Sequence, residues 1–145
     1  MENYLTKIIE NFTGVGKLPS ENEIKVNISS IDEKIKSVLN MNCSNSNFIL
    51  SLINDLRKME DILTLRKRID SSISTLIYFI YTIAGSAVGI SLGMGVFFTT
   101  TGNFGHILLL LSILGSVISI AIGIKSISDE RKYLEFLINN VKGMV

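Results

Sequence analysis

Few residues in this sequence have the types and spacing that catalysis requires. His106 is the only histidine, and no acidic residue or cysteine lies near it in the sequence. A general-base or metal site needs several converging titratable groups, so we interpret His106 as a polar residue without a catalytic role. The sequence therefore predicts no catalytic residue, no metal ligand and no cofactor, and we expect the protein not to be an enzyme.

One segment near the amino terminus has a partial likeness to a phosphate-binding loop. Residues 14–17 read Gly-Val-Gly-Lys, and loops of this kind bind phosphates through backbone N–H groups. The complete motif also requires glycine at position 11 and serine or threonine at position 18, where this chain has Asn11 and Leu18. We therefore predict no nucleotide site in this segment.

The charged residues are distributed unevenly and leave a long apolar gap. The chain has 145 residues with 14 Lys+Arg and 13 Asp+Glu, and a net charge of +1 gives no reason to expect nucleic-acid binding. The 54 residues from Ser71 to Ile124 carry none of these charges, and the mean hydropathy of the chain is +0.42. So long an apolar stretch predicts an integral membrane protein; the alternative is a helical hairpin buried inside a soluble bundle.

The uncharged stretch is long enough for two membrane crossings. About 20 apolar residues span the hydrocarbon core of a bilayer, and the only polar cluster in the stretch lies at 99–103. Both crossings are expected to be helical, because backbone groups in lipid must pair within their own segment. The predicted fold class is an all-α membrane protein, with a transmembrane helical hairpin of spans 74–98 and 104–124 joined by a turn at 99–103.

Basic residues flank the two predicted spans but are absent from the turn between them. Those before the first span and after the second are Arg66, Lys67, Arg68, Lys125, Arg131 and Lys132. Cytoplasmic ends of membrane helices are enriched in Lys and Arg, so both termini are expected in the cytoplasm. The lone cysteine, Cys43, is consistent with a reducing compartment.

The first 47 residues have the patterns of amphipathic helices followed by a polar linker. We predict a helix over 1–13 that ends at Gly14 and Gly16. A second helix is favoured over about 21–41, although residues 23–29 also alternate in the manner of a strand.

Two serines in this region fit the Ser-x-x-Glu capping box that begins many helices. The motif occurs once at residues 20–23 and again at residues 30–33. The first match precedes the favoured helix over 21–41, and the second precedes residues 31–40, where the helical interpretation has no competitor.

The segments next to the predicted spans carry apolar residues near a seven-residue repeat. The segment 48–73 is predicted to be a cytoplasmic helix that continues into the first span, giving one helix over about 48–98. The same pattern reappears in a carboxy-terminal cytoplasmic helix over 125–145. We expect these coiled-coil-like helices to pack on each other or on neighbouring subunits.

Both predicted spans contain small residues at four-residue spacing. The expected helix-packing residues are Gly85, Gly89, Gly93, Gly115, Ser119 and Gly123. Ridges of small residues let helix backbones approach each other in lipid, where apolar side chains alone do not drive association. The ridges could face each other within the hairpin or face a second copy, and we expect a homo-oligomer.

These patterns predict a small non-enzymatic membrane protein that self-associates through its spans and presents cytoplasmic helices to a protein partner. Its role would be that of a membrane anchor, an assembly protein or a structural protein. The alternative is an oligomeric pore-former, such as a holin or the two-span effector of a bacterial defence system. The serines within the spans are scattered and form no polar stripe along either helix, which favours the anchor.

Overall fold

The computed structural model describes residues 2–41, 45–99 and 103–145. In these ranges the chain forms four α-helices and no strand, and the prediction of an all-helical fold with two long apolar helices is confirmed. The helices are α1 (Glu2–Thr13), α2 (Glu21–Asn40), α3 (Ser46–Thr99) and α4 (Asn103–Met144), with a short 3-10 helix at Val15–Lys17.

Helix α1 ends at a glycine, as the sequence predicts. Gly14 has φ 76°, a left-handed conformation that glycine adopts at little cost and that commonly terminates helices. The 3-10 helix that follows buries Val15 completely. The glycine therefore redirects the chain so that the turn after α1 becomes part of a core.

Helix α2 begins at a capping box. The hydroxyl of Ser20 accepts a hydrogen bond from the backbone N–H of Glu23 (3.3 Å), and the Glu23 carboxylate accepts one from the backbone N–H of Ser20 (2.8 Å). Residues 23–29 are thus helical and not a strand. The second match to the motif, at Ser30 and Glu33, is not a cap, because both residues lie inside the helix that begins at Glu21.

Helices α3 and α4 are each continuous from end to end. Helix α3 covers the predicted helix at 48–98, and its first backbone N–H groups, those of Phe48 and Ile49, donate to the carbonyl of Asn45. Helix α4 runs without a break through the expected boundary between 104–124 and 125–145. Of the predicted turn, residues 99 and 103 are helical, and residues 100–102 lie outside the described residues.

The chain divides into two compact units. The first contains residues 3–71 and 134–145, and the second contains residues 72–133. The core of the first unit is formed by Val15, Ile24, Leu52, Ile62, Ile69, Leu134, Leu137, Ile138 and Val141. Among the described residues of the second unit, five are buried. They are Ser72, Ile73, Leu76, Ile77 and Gly123.

Helices α3 and α4 are both long and apolar enough to cross a membrane. The most apolar 18-residue windows within Ser46–Gly95 and Gly105–Met144 have mean hydropathies of 1.7 and 2.7. Only 17% of the first window and 6% of the second are buried within the chain. Length and composition alone make α3 and α4 candidates for membrane spans, a test that the core helix of a soluble protein also passes.

Replacing the capping serine of α2 tests the local cause of this helix. We expect Ser20→Ala to cost about 1 kcal/mol, because an N–H group at the start of α2 loses its acceptor. Native-state hydrogen exchange of the first α2 amides should then be about five-fold faster. The matched control is Ser30→Ala, which fits the same motif inside the helix. Equal acceleration in both variants would contradict the cap assignment.

Candidate functional site

Helices α3 and α4 approach each other at several positions within the second unit. The contacts join Ser72 to Glu130, Ile83 to Gly123, and Gly93 to Ser112. From one contact to the next, the residue number increases along α3 and decreases along α4. This is the order expected for antiparallel helices. Ser72 is 3% exposed. Its hydroxyl donates a hydrogen bond to the Glu130 carboxylate at 2.7 Å.

One face of each helix is less exposed than the others in this unit. On α4 the less exposed positions recur every three or four residues at Leu109, Ile113, Ser116, Ile120, Gly123, Ile127 and Glu130. On α3 they include Leu76, Ile80, Ile83, Ser86, Ile90 and Gly93. This spacing keeps a stripe on one side of an α-helix, so the remaining sides of both helices are left uncovered.

The predicted helix-packing residues fall into two groups. Gly93 and Gly123 lie at the contact: a Cβ atom at Gly123 would be 2.8 Å from Cγ1 of Ile83, and one at Gly93 would be 3.7 Å from Oγ of Ser112. The others, Gly85, Gly89, Gly115 and Ser119, are exposed.

The exposed glycines have open space beside them. Among the described residues, a Cβ atom added at Gly85, Gly89 or Gly115 would meet no atom within 4 Å. The two small-residue ridges therefore do not pack on each other along their length. Their exposed members form two outward patches, which we call the α3 small patch (Gly85 and Gly89) and the α4 small patch (Gly115 and Ser119).

Hydroxyl groups in the apolar helices donate to their own backbone. The donors are Thr82, Ser86, Ser91 and Ser119, each bonded at 2.9–3.0 Å to the carbonyl four residues earlier. A hydroxyl bonded in this way needs no water or partner helix as its acceptor. These polar side chains are consequently compatible with an apolar environment.

A buried arginine lies in the core of the first unit. Arg66 is 9% exposed. Its Nη1 donates to the backbone carbonyl of Val15 at 3.3 Å, and its Nη2 lies 3.3 Å from a carboxylate oxygen of Asp70. Arg66 thereby fixes the turn after α1 to helix α3.

From the sequence, Arg66 is predicted only to belong to the basic flank of the first span. The structure gives it a packing role as well, and a signal for this was present in the sequence. Arg66 lies four residues after Ile62 and three before Ile69, so it occupies the apolar side of α3. Its neighbours Lys67 and Arg68 are exposed.

Asp70, the carboxylate paired with Arg66, has a shifted pKa. Burial raises the pKa of Asp70, the charge of Arg66 opposes this, and the carboxylates of Glu21 and Glu10 reinforce it. The pKa of Glu21 is lowered, chiefly by its hydrogen bond from Lys25 at 2.6 Å and by the charge of that lysine. Arg66 therefore has one carboxylate partner, Asp70, while Glu21 is paired with Lys25 on its own helix.

In the described part of the chain, no three His, Cys, Asp or Glu side chains are placed to hold a metal ion. Clefts along α2 are lined by residues such as Lys25, Ser29 and Glu33, and His106 lies near the start of α4. The exposed apolar surface of α3 and α4 is therefore the most distinctive feature available for function.

Comparisons with known proteins yielded no relative. No protein-family model matches the chain, and no curated protein and no solved structure is similar to it. A function must therefore be argued from the surfaces described above.

Truncating the buried arginine should destabilise the first unit. We expect Arg66→Ala to cost about 2–3 kcal/mol, because the Val15 carbonyl loses a charged donor and the core loses the aliphatic stem. The matched control is Arg68→Ala, an exposed arginine of the same helix, which should change stability by less than about 0.5 kcal/mol. Pulse proteolysis in urea on the full-length chain measures both. Equal losses in the two variants would show that Arg66 has no structural role.

Adding one methyl group at the α3–α4 contact should disturb that contact. Gly123→Ala introduces a clash with Ile83 that should cost about 1–3 kcal/mol. Gly115→Ala is the control, since it adds the same methyl in open space and should gain up to about 1 kcal/mol of helix stability.

The difference between these two variants isolates the clash. A double variant of Gly123→Ala with Ile83→Ala should recover part of the loss, because the clashing carbons are then removed. Unfolding in a sodium dodecyl sulfate titration provides the free energies. Equal stability of the two glycine variants would contradict the contact.

Proposed function

We propose that this protein is a non-enzymatic integral membrane protein whose α3 and α4 cross a bilayer as a helical hairpin and self-associate there. Its first unit would present helices to partners on the cytoplasmic side. The observation that carries the proposal is the exposure of large apolar side chains between residues 78 and 124. A membrane anchor, an assembly protein or a structural protein fits this description.

The extent of exposed apolar surface supports a lipid environment. On α4 alone the exposed residues include Leu108, Leu110, Leu111, Leu114, Ile118 and Ile122, each more than half exposed. Contiguous apolar surface of this extent is rare on soluble monomers. Lipid chains would cover this surface on every side, whereas a soluble monomer would leave it in contact with water.

The polar groups within the apolar segments also suit lipid. No charged residue occurs between Ser71 and Ile124, and a charge at the centre of a bilayer is costly. The back-bonded hydroxyls described above remove polar donors that lipid cannot satisfy. The same bonds favour the anchor over the pore-former, because a water-filled pore needs polar groups that face its lumen.

The small patches support association with a second copy. Gly85 and Gly89 on α3, and Gly115 and Ser119 on α4, are exposed and lie outside the contact between these helices. Glycine costs up to about 1 kcal/mol relative to alanine in a helix interior. Close approach of a neighbouring helix would offset this cost, as in other small-xxx-small pairs in membranes.

The charges outside the apolar segments support an orientation. The exposed basic residues Lys67, Arg68, Lys125, Arg131 and Lys132 all lie beyond the ends of residues 71–124. By the positive-inside rule, both termini and the first unit would face the cytoplasm. The first unit's helices would then be available to a cytoplasmic protein partner.

Substitution of one glycine in the α3 small patch tests self-association. We expect Gly89→Leu to lower the amine-reactive cross-linked dimer in reconstituted vesicles by about ten-fold, because the side chain prevents close approach of the backbones. Gly95→Leu is the control: it adds the same side chain to α3 at a glycine that also has open space but lies on another face. An unchanged dimer in Gly89→Leu, with the helix content retained, would contradict this surface.

The same vesicles separate the anchor from the pore-former. Vesicles loaded with a small dye should stay sealed at all protein densities if the protein is an anchor. Leakage that rises with the cross-linked fraction and disappears in Gly89→Leu would instead establish an oligomeric pore. Resistance of the protein to carbonate extraction is expected in both cases, and its release would contradict membrane insertion.

A further inference from the structure

Helix α1 has a second apolar side that the first unit does not cover. Tyr4, Ile8 and Phe12 are 73%, 50% and 82% exposed. They are spaced four residues apart and therefore form one ridge along the helix. Leu5 and Ile9 are less exposed, so α1 packs in its own unit through a different side.

Charges on α1 are placed unequally around this ridge. Lys7 is exposed and directly precedes Ile8, so it lies on the flank of the ridge. Glu10 is two residues from both Ile8 and Phe12. It therefore lies on the opposite side of the helix from them, about 160° away around the axis. Glu10 is half-buried, and its charge helps to raise the pKa of Asp70. The ridge therefore has the positive charge of Lys7 at its edge, while the negative charge of Glu10 lies on the opposite side of α1.

The end of α1 is tied to a helix that continues into the apolar stretch. The Val15 carbonyl, immediately beyond α1, accepts the hydrogen bond from Arg66. Arg66 precedes Tyr78, where the exposed apolar stretch of α3 begins, by twelve residues in the same helix. If α3 crosses a bilayer, α1 is bonded to the same helix that enters it and is held in the vicinity of that bilayer.

We propose that the ridge of Tyr4, Ile8 and Phe12 docks on the surface of a lipid bilayer, with α1 lying in the membrane plane. The three side chains would enter the boundary between headgroups and acyl chains, and Lys7 would reach lipid phosphates. Amphipathic helices with aromatic residues on the apolar side and lysine at its edge bind membranes in this way. The inference rests on the proposed function, which supplies the bilayer.

A second copy of the chain is a less suitable occupant of this ridge. Stable protein interfaces bury about 1,200 Å² or more in total, and three side chains on a twelve-residue helix offer only a fraction of that area. A bilayer needs no complementary patch of that size, and its phosphates would pair with the exposed Lys7 at the edge of the ridge.

The absence of tryptophan from the sequence allows a direct test. The full-length Phe12→Trp variant contains one tryptophan at the end of the ridge, and vesicles of brominated phosphatidylcholine quench tryptophan only on contact with the lipid chains. We expect its fluorescence to fall about three-fold or more relative to unbrominated vesicles, with a blue-shifted emission. Adding Ile8→Asp to this variant should abolish most of the quenching.

Two further single-tryptophan variants serve as controls. Val26→Trp replaces an apolar residue of α2 that is 67% exposed and outside the ridge, and it should show no quenching. Leu114→Trp lies in the uncharged part of α4 and reports membrane insertion independently of α1. Quenching of Leu114→Trp without quenching of Phe12→Trp would overturn the docking inference and leave the proposed function intact. Absence of quenching in both would overturn the proposed function as well.

The same fluorescence measurements show whether a second copy of the chain or water covers the ridge instead of lipid. Burial against a second copy would shift the emission of Phe12→Trp to the blue without bromine quenching, and the shift would disappear when the protein is diluted in lipid. An emission that remains accessible to aqueous iodide would show that the ridge is solvent-exposed. Either outcome contradicts lipid docking.

Discussion

The backbone hydrogen bonds of α3 and α4 are made within the helices themselves, and the proposed membrane location depends on this property. Between residues 71 and 124 the sequence has no charged side chain, and four hydroxyls in the range, those of Thr82, Ser86, Ser91 and Ser119, are bonded to carbonyls of their own helix. The one proline of the chain, Pro19, lies outside both helices. With their polar groups satisfied, the apolar side chains can remain exposed without requiring a water-facing partner.

The contact between α3 and α4 depends more on close packing than on polar interactions. Gly123 allows Ile83 to approach the α4 backbone, and the Ser72–Glu130 hydrogen bond is the buried polar contact among the described pairs. Apolar side chains gain little from association in lipid, whereas close backbone approach gains dispersion contacts. This explains how a contact can be specific in helices that are otherwise rich in Leu and Ile.

Most of the secondary structure could be predicted from the sequence, because apolar periodicity and glycine carry local information. The ends of α1 and α2 and the continuity of α3 followed from such signals. The motif at Ser30 misled because four residues cannot show whether a helix has already begun. The burial of Arg66 was missed because its charge matched a flanking role, although its spacing to Ile62 and Ile69 placed it on the apolar side.

The small residues could be recognised in the sequence, but their distribution over surfaces could not. All six share a four-residue spacing within their spans, and that spacing is the same for a glycine at an internal contact and for one facing outward. Which glycine has a neighbour depends on the rotation of each helix about its axis, which many side chains determine together. The separation of Gly93 and Gly123 from the exposed glycines is therefore information that only the three-dimensional structure provides.

The core of the first unit has a consequence for the order of events during synthesis. It combines residues from before the apolar stretch, such as Val15 and Ile24, with Leu134, Leu137 and Val141 from after it. Val15 and Ile24 are translated more than a hundred residues before these partners. They must wait with an incomplete core until the ribosome has delivered the apolar stretch, so completion of this unit is a late step in biogenesis, after the last long helix has emerged.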